Sequence, residues 1–177
     1  MNIIILAGSN RKAATSTLLS HYIASQLKEK GATARVFDLY EKPIPFYSPD
    51  TESSDANLLE MKEALLRADG IVLATPEYHG SMSGVLKNAL DHVGFDYFDG
   101  KAVLSVSSAG GAVGVSSLQQ LQTIVRNVHG INCPEWISIG GEQRAFNDNG
   151  EPADEKTKAR VEKTITYFVK LVQTVRH

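Results

Sequence analysis

Residues 71–91 read Ile71-Val72-Leu73-Ala74-Thr75-Pro76-Glu77-Tyr78-His79-Gly80-Ser81-Met82-Ser83-Gly84-Val85-Leu86-Lys87-Asn88-Ala89-Leu90-Asp91. The run from Ile71 to Ala74 is continuously apolar, the pattern of a strand covered on both faces. Pro76 has no N–H and pushes Thr75 toward an extended conformation, so the strand stops there. Met82, Val85, Leu86, Ala89 and Leu90 then recur at helical spacing, which predicts a helix over residues 81–92 with one buried face. Tyr78 and His79 lie between the two elements, at the carboxyl end of the strand. In an open parallel sheet, ligands bind at that end.

The same alternation runs outward in both directions. Apolar runs at 2–7, 33–39, 70–75, 101–107 and within 131–139 read as five strands. Helical spacing occupies 17–30, 56–68, 81–92, 115–129 and 153–174. Residues 40–55 hold Pro43, Pro45 and Pro49 and read as irregular, and residues 140–152 read as a polar loop. Strands each followed by a helix predict an α/β fold, a doubly wound five-stranded parallel sheet with helices on both faces. No repeat or linker divides the chain, so residues 1–177 are expected to form one domain. Helices cover both faces only if the strand order reverses, and that reversal opens a crevice ringed by strand-end loops.

Composition narrows the function classes. Eighteen basic residues against 20 acidic ones leave no electrostatic footprint for nucleic acid or an anionic membrane. The apolar runs are too short to span a bilayer, and the N-terminus enters a strand with no basic segment ahead of it. The single cysteine, Cys133, rules out an internal disulfide and fits a reducing cytoplasm; beside Pro134 it is expected to be buried and inert. The five histidines are scattered, so no metal site is expected. A serine-hydrolase elbow, Gly-x-Ser-x-Gly, is absent.

Three strand-end loops remain. The first, Gly8-Ser9-Asn10-Arg11-Lys12-Ala13-Ala14-Thr15-Ser16-Thr17, combines a glycine, hydroxyl side chains, an arginine and the start of a helix, which together can cradle a phosphate. It is neither a Walker loop nor the dinucleotide fingerprint, since both glycine patterns are missing. The second is Pro76-Glu77-Tyr78-His79; Glu77 there is either a general acid–base or, more commonly for a carboxylate at a turn, solvated. The third, Ser107-Ser108-Ala109-Gly110-Gly111-Ala112-Val113-Gly114, offers backbone donors and acceptors to a flat heteroaromatic ring. A phosphate cradle, a Tyr/His turn and a glycine turn together match a mononucleotide with a planar ring.

On these residues the chain resembles the flavodoxin-like NAD(P)H-dependent FMN reductases, a group that includes azoreductases, quinone reductases and chromate reductases. Gly8-Ser9-x-Arg11, the Pro76–His79 turn with Ser83-Gly84-x-Leu86-Lys87-Asn88-Ala89-Leu90-Asp91, and Gly110-Gly111 carry the likeness. The resemblance implies that Ser9, Arg11, Thr15, Ser16 and Thr17 hold the FMN phosphate. It also implies that Pro76, Glu77, Tyr78 and His79 run beside the ring and ribityl chain, and that Ser107, Ser108, Ala109, Gly110 and Gly111 meet the pyrimidine edge. NADPH or NADH would be co-substrate, and a quinone, azo compound, metal oxyanion or free flavin the acceptor. The flavin carries the redox step while the protein binds and orients, so no side chain is named as catalytic. The family is usually dimeric or tetrameric, which implies a homo-oligomer, built partly on residues 81–92 and the aromatic segment 94–98. A flavodoxin-type electron carrier that binds FMN without oxidising NAD(P)H is the alternative. Such carriers tend to be strongly acidic, and this chain is near neutral.

Overall fold

The computed structural model describes residues 1–176; His177, the last residue of the expected domain, lies outside the described residues. Six strands form one sheet: β1 (Asn2–Ala7), β2 (Thr33–Asp38), β3 (Gly70–Pro76), β4 (Ala102–Ala109), β5 (Ile131–Asn132) and β6 (Ile137–Gly140). The order is β2-β1-β3-β4, with β5 and β6 both paired to β4, and every pairing is parallel. The doubly wound sheet expected from the alternation is therefore present. Its fifth strand is broken in two because Pro134 cannot donate to the ladder. Cys133 still donates its N–H to Val103 O just before the break. Its thiol is buried and free, and burial pushes its pKa up, as an inert core cysteine should behave.

Period-two alternation sorts the sheet into two cores. Ile3 and Ile5 of β1, Val72 of β3, and Leu104 and Val106 of β4 face α1 (Thr15–Glu29) and the long C-terminal helix Glu155–Val175. Ile4 and Leu6, Ile71 and Leu73, and Val103 face the other way. There they meet α2 (Ala56–Leu66), α3 (Gly84–Asp91), the single turn α4 (Phe95–Phe98) and α5 (Val115–Asn127). The C-terminal helix is α6.

Two expectations are corrected. The helix predicted over 81–92 begins at Gly84, because Tyr78 and Ser81 pair with each other across a turn and Ser83 caps the helix through its Oγ on Leu86 N. Met82 is buried, but from the turn and not from a helical face. The segment 94–98 is not a uniformly exposed aromatic surface: Phe98 is buried in the core, and only Phe95 stands well out.

The chain order reverses between β1 and β3, since β1 passes to β2 on one side while β3 and β4 lie on the other. The carboxyl ends of β1, β3 and β4 therefore surround the switch point. Gly8 N–H donates to Ala74 O at 2.7 Å, which draws the first loop against the end of β3. A Cβ on Gly8 would collide with Ala74 O and Leu86, so glycine is required here for close approach.

Candidate active site

The three loops form one cleft of about 230 Å³, lined by Arg11, Ala14, Thr15, Ser16, Pro76, Glu77, Tyr78, Ser108, Gly110 and Arg144. Its floor is the N-terminus of α1. The N-cap residue, Ala14, has no side chain to cap the helix, and no acidic residue lies in the first turn. The first-turn amides and the positive end of the dipole are thus left open toward the cleft. Ser16 Oγ and Thr17 Oγ1 are buried and make no hydrogen bond. Buried polar atoms are ordinarily satisfied, so orphaned hydroxyls at an uncapped helix start could take an anion, although of the two only Ser16 lines the cleft. Ser9 is buried and its Oγ accepts from Arg11 N at 3.2 Å, so it shapes the loop.

The second loop is fastened to its neighbours by backbone. Glu77 N–H donates to Ser108 O at 2.8 Å, joining the ends of β3 and β4. The Glu77 carboxylate is partly exposed but engaged within the protein. Its Oε2 accepts from Ser117 N at 2.9 Å and Ser117 Oγ at 3.0 Å. Gly114 cannot cap α5 with a side chain, and Glu77 does that work from across the cleft. Tyr78 is half exposed at the rim. His79 has a φ of 51° beside Gly80 at 73°, and it is exposed and not among the residues lining the cleft.

In the third loop only Ser108 and Gly110 reach the cleft. Ser107 Oγ donates to Gly114 O at 2.7 Å, and Ser138 Oγ accepts from Gly114 N at 2.9 Å, so these serines brace the loop from beneath. Ala109 is buried, and Gly111 is exposed beyond the lining. The residue that sequence reasoning missed is Arg144. It ends a 3-10 turn (Gly141–Arg144) directly after β6, in the stretch read as a polar loop. Its Nη2 donates to Thr15 Oγ1 at 3.4 Å, while its Nε is buried and unpartnered. No local pattern marks it; β6 brings it in by lying along β4 with Gly140 opposite Ala109.

A larger groove of about 480 Å³ lies between α3 and α5, lined by residues such as Met82, Gly84, Gln120 and Ile124. None of the orphaned buried polar atoms is among its lining residues. Ser16 and Arg144, which do carry such atoms, line the smaller cleft. The donor set there (uncapped amides, two hydroxyls and two guanidinium groups) fits a phosphate monoester.

A family model described as NADPH-dependent FMN reductase matches residues 1–144 of this chain. The chain belongs to that family. The reductase is 38% identical over 155 residues to the FMN-dependent NADPH-azoreductase of Staphylococcus aureus strain USA300, covering 85% of this chain and 82% of that protein. Among solved structures it shares its fold with FerB, a flavoenzyme NAD(P)H:(acceptor) oxidoreductase from Paracoccus denitrificans. That match has a TM-score of 0.85 at 21% identity and covers 99% of both chains. A flavodoxin from Streptococcus pneumoniae superposes with a TM-score of 0.63 at 12% identity, covering 96% of this chain and 97% of that one. The chain is thus an FMN-dependent NAD(P)H oxidoreductase of flavodoxin-like fold, and an electron carrier without reductase activity is set aside. Among the described residues no helix is long and apolar enough to cross a membrane.

Proposed function

We propose that the reductase holds FMN with its phosphate on the α1 N-terminus and delivers electrons from NADPH or NADH to a small planar acceptor, an azo compound or a quinone. The observation that carries this is the orphaned buried hydroxyl of Ser16, which lines the strand-end cleft at an uncapped helix start, with that of Thr17 next to it in the same turn. Ser9, Arg11, Thr15, Ser16 and Thr17 would hold the phosphate. Pro76, Glu77, Tyr78 and His79 would flank the ribityl chain and ring by backbone and rim, and Ser107, Ser108, Ala109, Gly110 and Gly111 would present main-chain groups to the ring edge. When bound, FMN supplies the two-electron chemistry that links a nicotinamide to an acceptor. The protein's own part is to fix the loops. Glu77 ties the second loop to α5, and Ser83 ties the first loop to α3 by donating from Oγ to Gly8 O. The azo acceptor is suggested by the Staphylococcus aureus relative, and the half-exposed Tyr78 leaves the rim open to a flat molecule.

Anaerobic mixing tests this reading. NADPH or NADH should bleach the flavin absorbance, and an azo dye or a quinone should restore it. A flavin that neither nicotinamide bleaches overturns the proposal. Arg11→Ala should weaken FMN binding roughly ten- to a hundred-fold, the loss of one charge-assisted hydrogen bond to phosphate. Calorimetric titration of apoprotein checks it, and an unchanged affinity would leave Arg11 a solvated loop residue.

We also propose a homo-oligomer in the cytoplasm, with a second copy against the α3 side. Asn88 and His92 are not free for that contact. Asn88 accepts from Tyr47 N and donates to Pro45 O, and His92 Nε2 lies 2.9 Å from Pro45 O. Lys87 pairs with Asp91 of its own helix. What these bonds hold out is the segment carrying Phe46, which is 91% exposed, with Tyr47 beside it. An aromatic so fully presented by an anchored segment suits a self-contact. Light scattering at micromolar concentration should give at least a dimer. A monomer with full reductase activity overturns this.

A further inference from the structure

We infer that Arg144, from the turn after β6, is a second cationic anchor for the flavin's phosphate, so that two guanidinium groups meet one dianion. The inference rests on the FMN reading above and assigns a role to a residue that lies in none of the three recognised loops.

Arg144 is poorly satisfied as it stands. A guanidinium carries five N–H donors. Among the described residues Arg144 makes one hydrogen bond, to Thr15 Oγ1 at 3.4 Å, longer than a well-formed bond. Its Nε is buried without any partner. It forms no ion pair among the described residues, and neither does Arg11. One carboxylate lines the cleft, that of Glu77, and it is engaged by Ser117. Two guanidinium groups and a helix N-terminus therefore border one small cleft against a single carboxylate, whose Oε2 is turned to Ser117, so the cleft keeps an excess of positive charge. Such an arrangement calls for a ligand of matching charge.

A phosphate monoester carries about −1.5 to −2 charges near pH 7 and offers three acceptor oxygens. Its three oxygens can meet both guanidinium groups and the open α1 amides at once. The guanidinium fork also matches phosphate oxygens in a bidentate way. The position agrees. Arg144 reaches the first residue of α1, where the open amides are, and its Nη1 would stand 4.0 Å from a Cβ placed on Gly110. It thus spans the phosphate end of the cleft and the glycine loop.

Riboflavin has the same ring and ribityl chain as FMN without the phosphate, so it separates an anchor from a brace. Flavin-free protein is titrated with FMN and with riboflavin, following the quenching of flavin fluorescence, for wild type, Arg144→Ala and Arg144→Lys. The expected result is that Arg144→Ala weakens FMN roughly ten- to a hundred-fold while riboflavin is unchanged. Arg144→Lys should fall between, because it keeps the charge and loses the fork. Inorganic phosphate should also raise the melting temperature of wild-type apoprotein more than that of Arg144→Ala, a readout that needs no ring. Equal weakening of FMN and riboflavin would make Arg144 a brace for the glycine loop and overturn the inference, as would unchanged FMN affinity. A wild-type protein with no preference for FMN over riboflavin would instead overturn the phosphate reading itself, and this inference with it.

Discussion

A chain ending at Pro152 is expected not to fold. The truncation removes α6, which buries Val161, Ile165, Phe168, Val169 and Val172 against β1, β3, β4 and α1. Each such side chain contributes roughly 1.5–3 kcal/mol on burial, or about 7–15 kcal/mol for the five, an upper bound because the unfolded chain is partly compact. That sum is comparable with the whole stability of a domain, about 5–15 kcal/mol. The loss is not confined to the helix, since Ile3, Ile5, Leu104 and Val106 would keep α1 but lose part of their cover on that side of the sheet. Gly70 shows how closely α6 is seated: a Cβ there would fall 2.6 Å from Val172 and 3.2 Å from the Phe168 ring. Tyr22 on α1 donates to Glu162 at 2.8 Å and adds a polar tie between the two helices. Circular dichroism of the truncated chain should show no cooperative melt, and no flavin should copurify with it. A cooperative transition with bound flavin would show that α6 is dispensable. The point bears on the family as well, since the matched region stops at residue 144 while the core continues past it.

The sequence discloses this fold well because β1, β3 and β4 are short apolar runs in a chain whose intervening segments repeat at helical spacing. Where it misleads, a single bond or ring is responsible. Met82 sits at the right interval to extend a helix backward. The positive φ values of His79 and Gly80 and the pairing of Tyr78 with Ser81 nevertheless make a turn there. Pro134 splits a strand that hydropathy draws as one. In the opposite direction, α1 begins at Thr15, two residues before the expected start, so the hydroxyls read as loop ligands are first-turn residues. The polar loops of the site were legible by residue type and by their place at strand ends. What those residues do was less so. Glu77 caps a helix that starts 38 positions later, and Ser107 braces Gly114, relations that only the folded sheet creates. Asn88 and His92 looked like a surface and are clasps for the irregular Pro45–Tyr47 segment. Arg144 was invisible because its approach depends on β6 lying along β4 with Gly140 opposite Ala109.

Gly140→Ala is expected to lower flavin affinity as sharply as any change of a lining residue, although Gly140 does not line the cleft. Its backbone is ordinary extended chain, with φ −148° and ψ 164°, so alanine meets no conformational penalty of its own. The obstacle is space. A Cβ at this position would overlap the carbonyl oxygens of Gly111 and Ala112 and lie 2.5 Å from the Ala112 carbonyl carbon. These neighbours are backbone and cannot swing aside as a flexible side chain would. Overpacking of this kind costs about 1–3 kcal/mol, occasionally more. For a chain of this length each kcal/mol lowers the melting temperature by roughly 2–4 °C. The cheapest relief is to push residues 110–112 outward, which carries Gly110 away from Ser108 and widens the cleft. Affinity for FMN and for riboflavin should then fall together, since the damage is to the ring's side of the site and not to the phosphate's. That shared loss is the opposite signature to the one expected of Arg144→Ala. Gly111→Ala is the matched control for crowding: nothing of the protein lies within 4 Å of a Cβ there, and its melting temperature should stay near wild type. If Gly140→Ala melts like wild type and binds both flavins unchanged, the glycine loop is compliant, and the positioning of the ring must come from the Pro76–Tyr78 side alone.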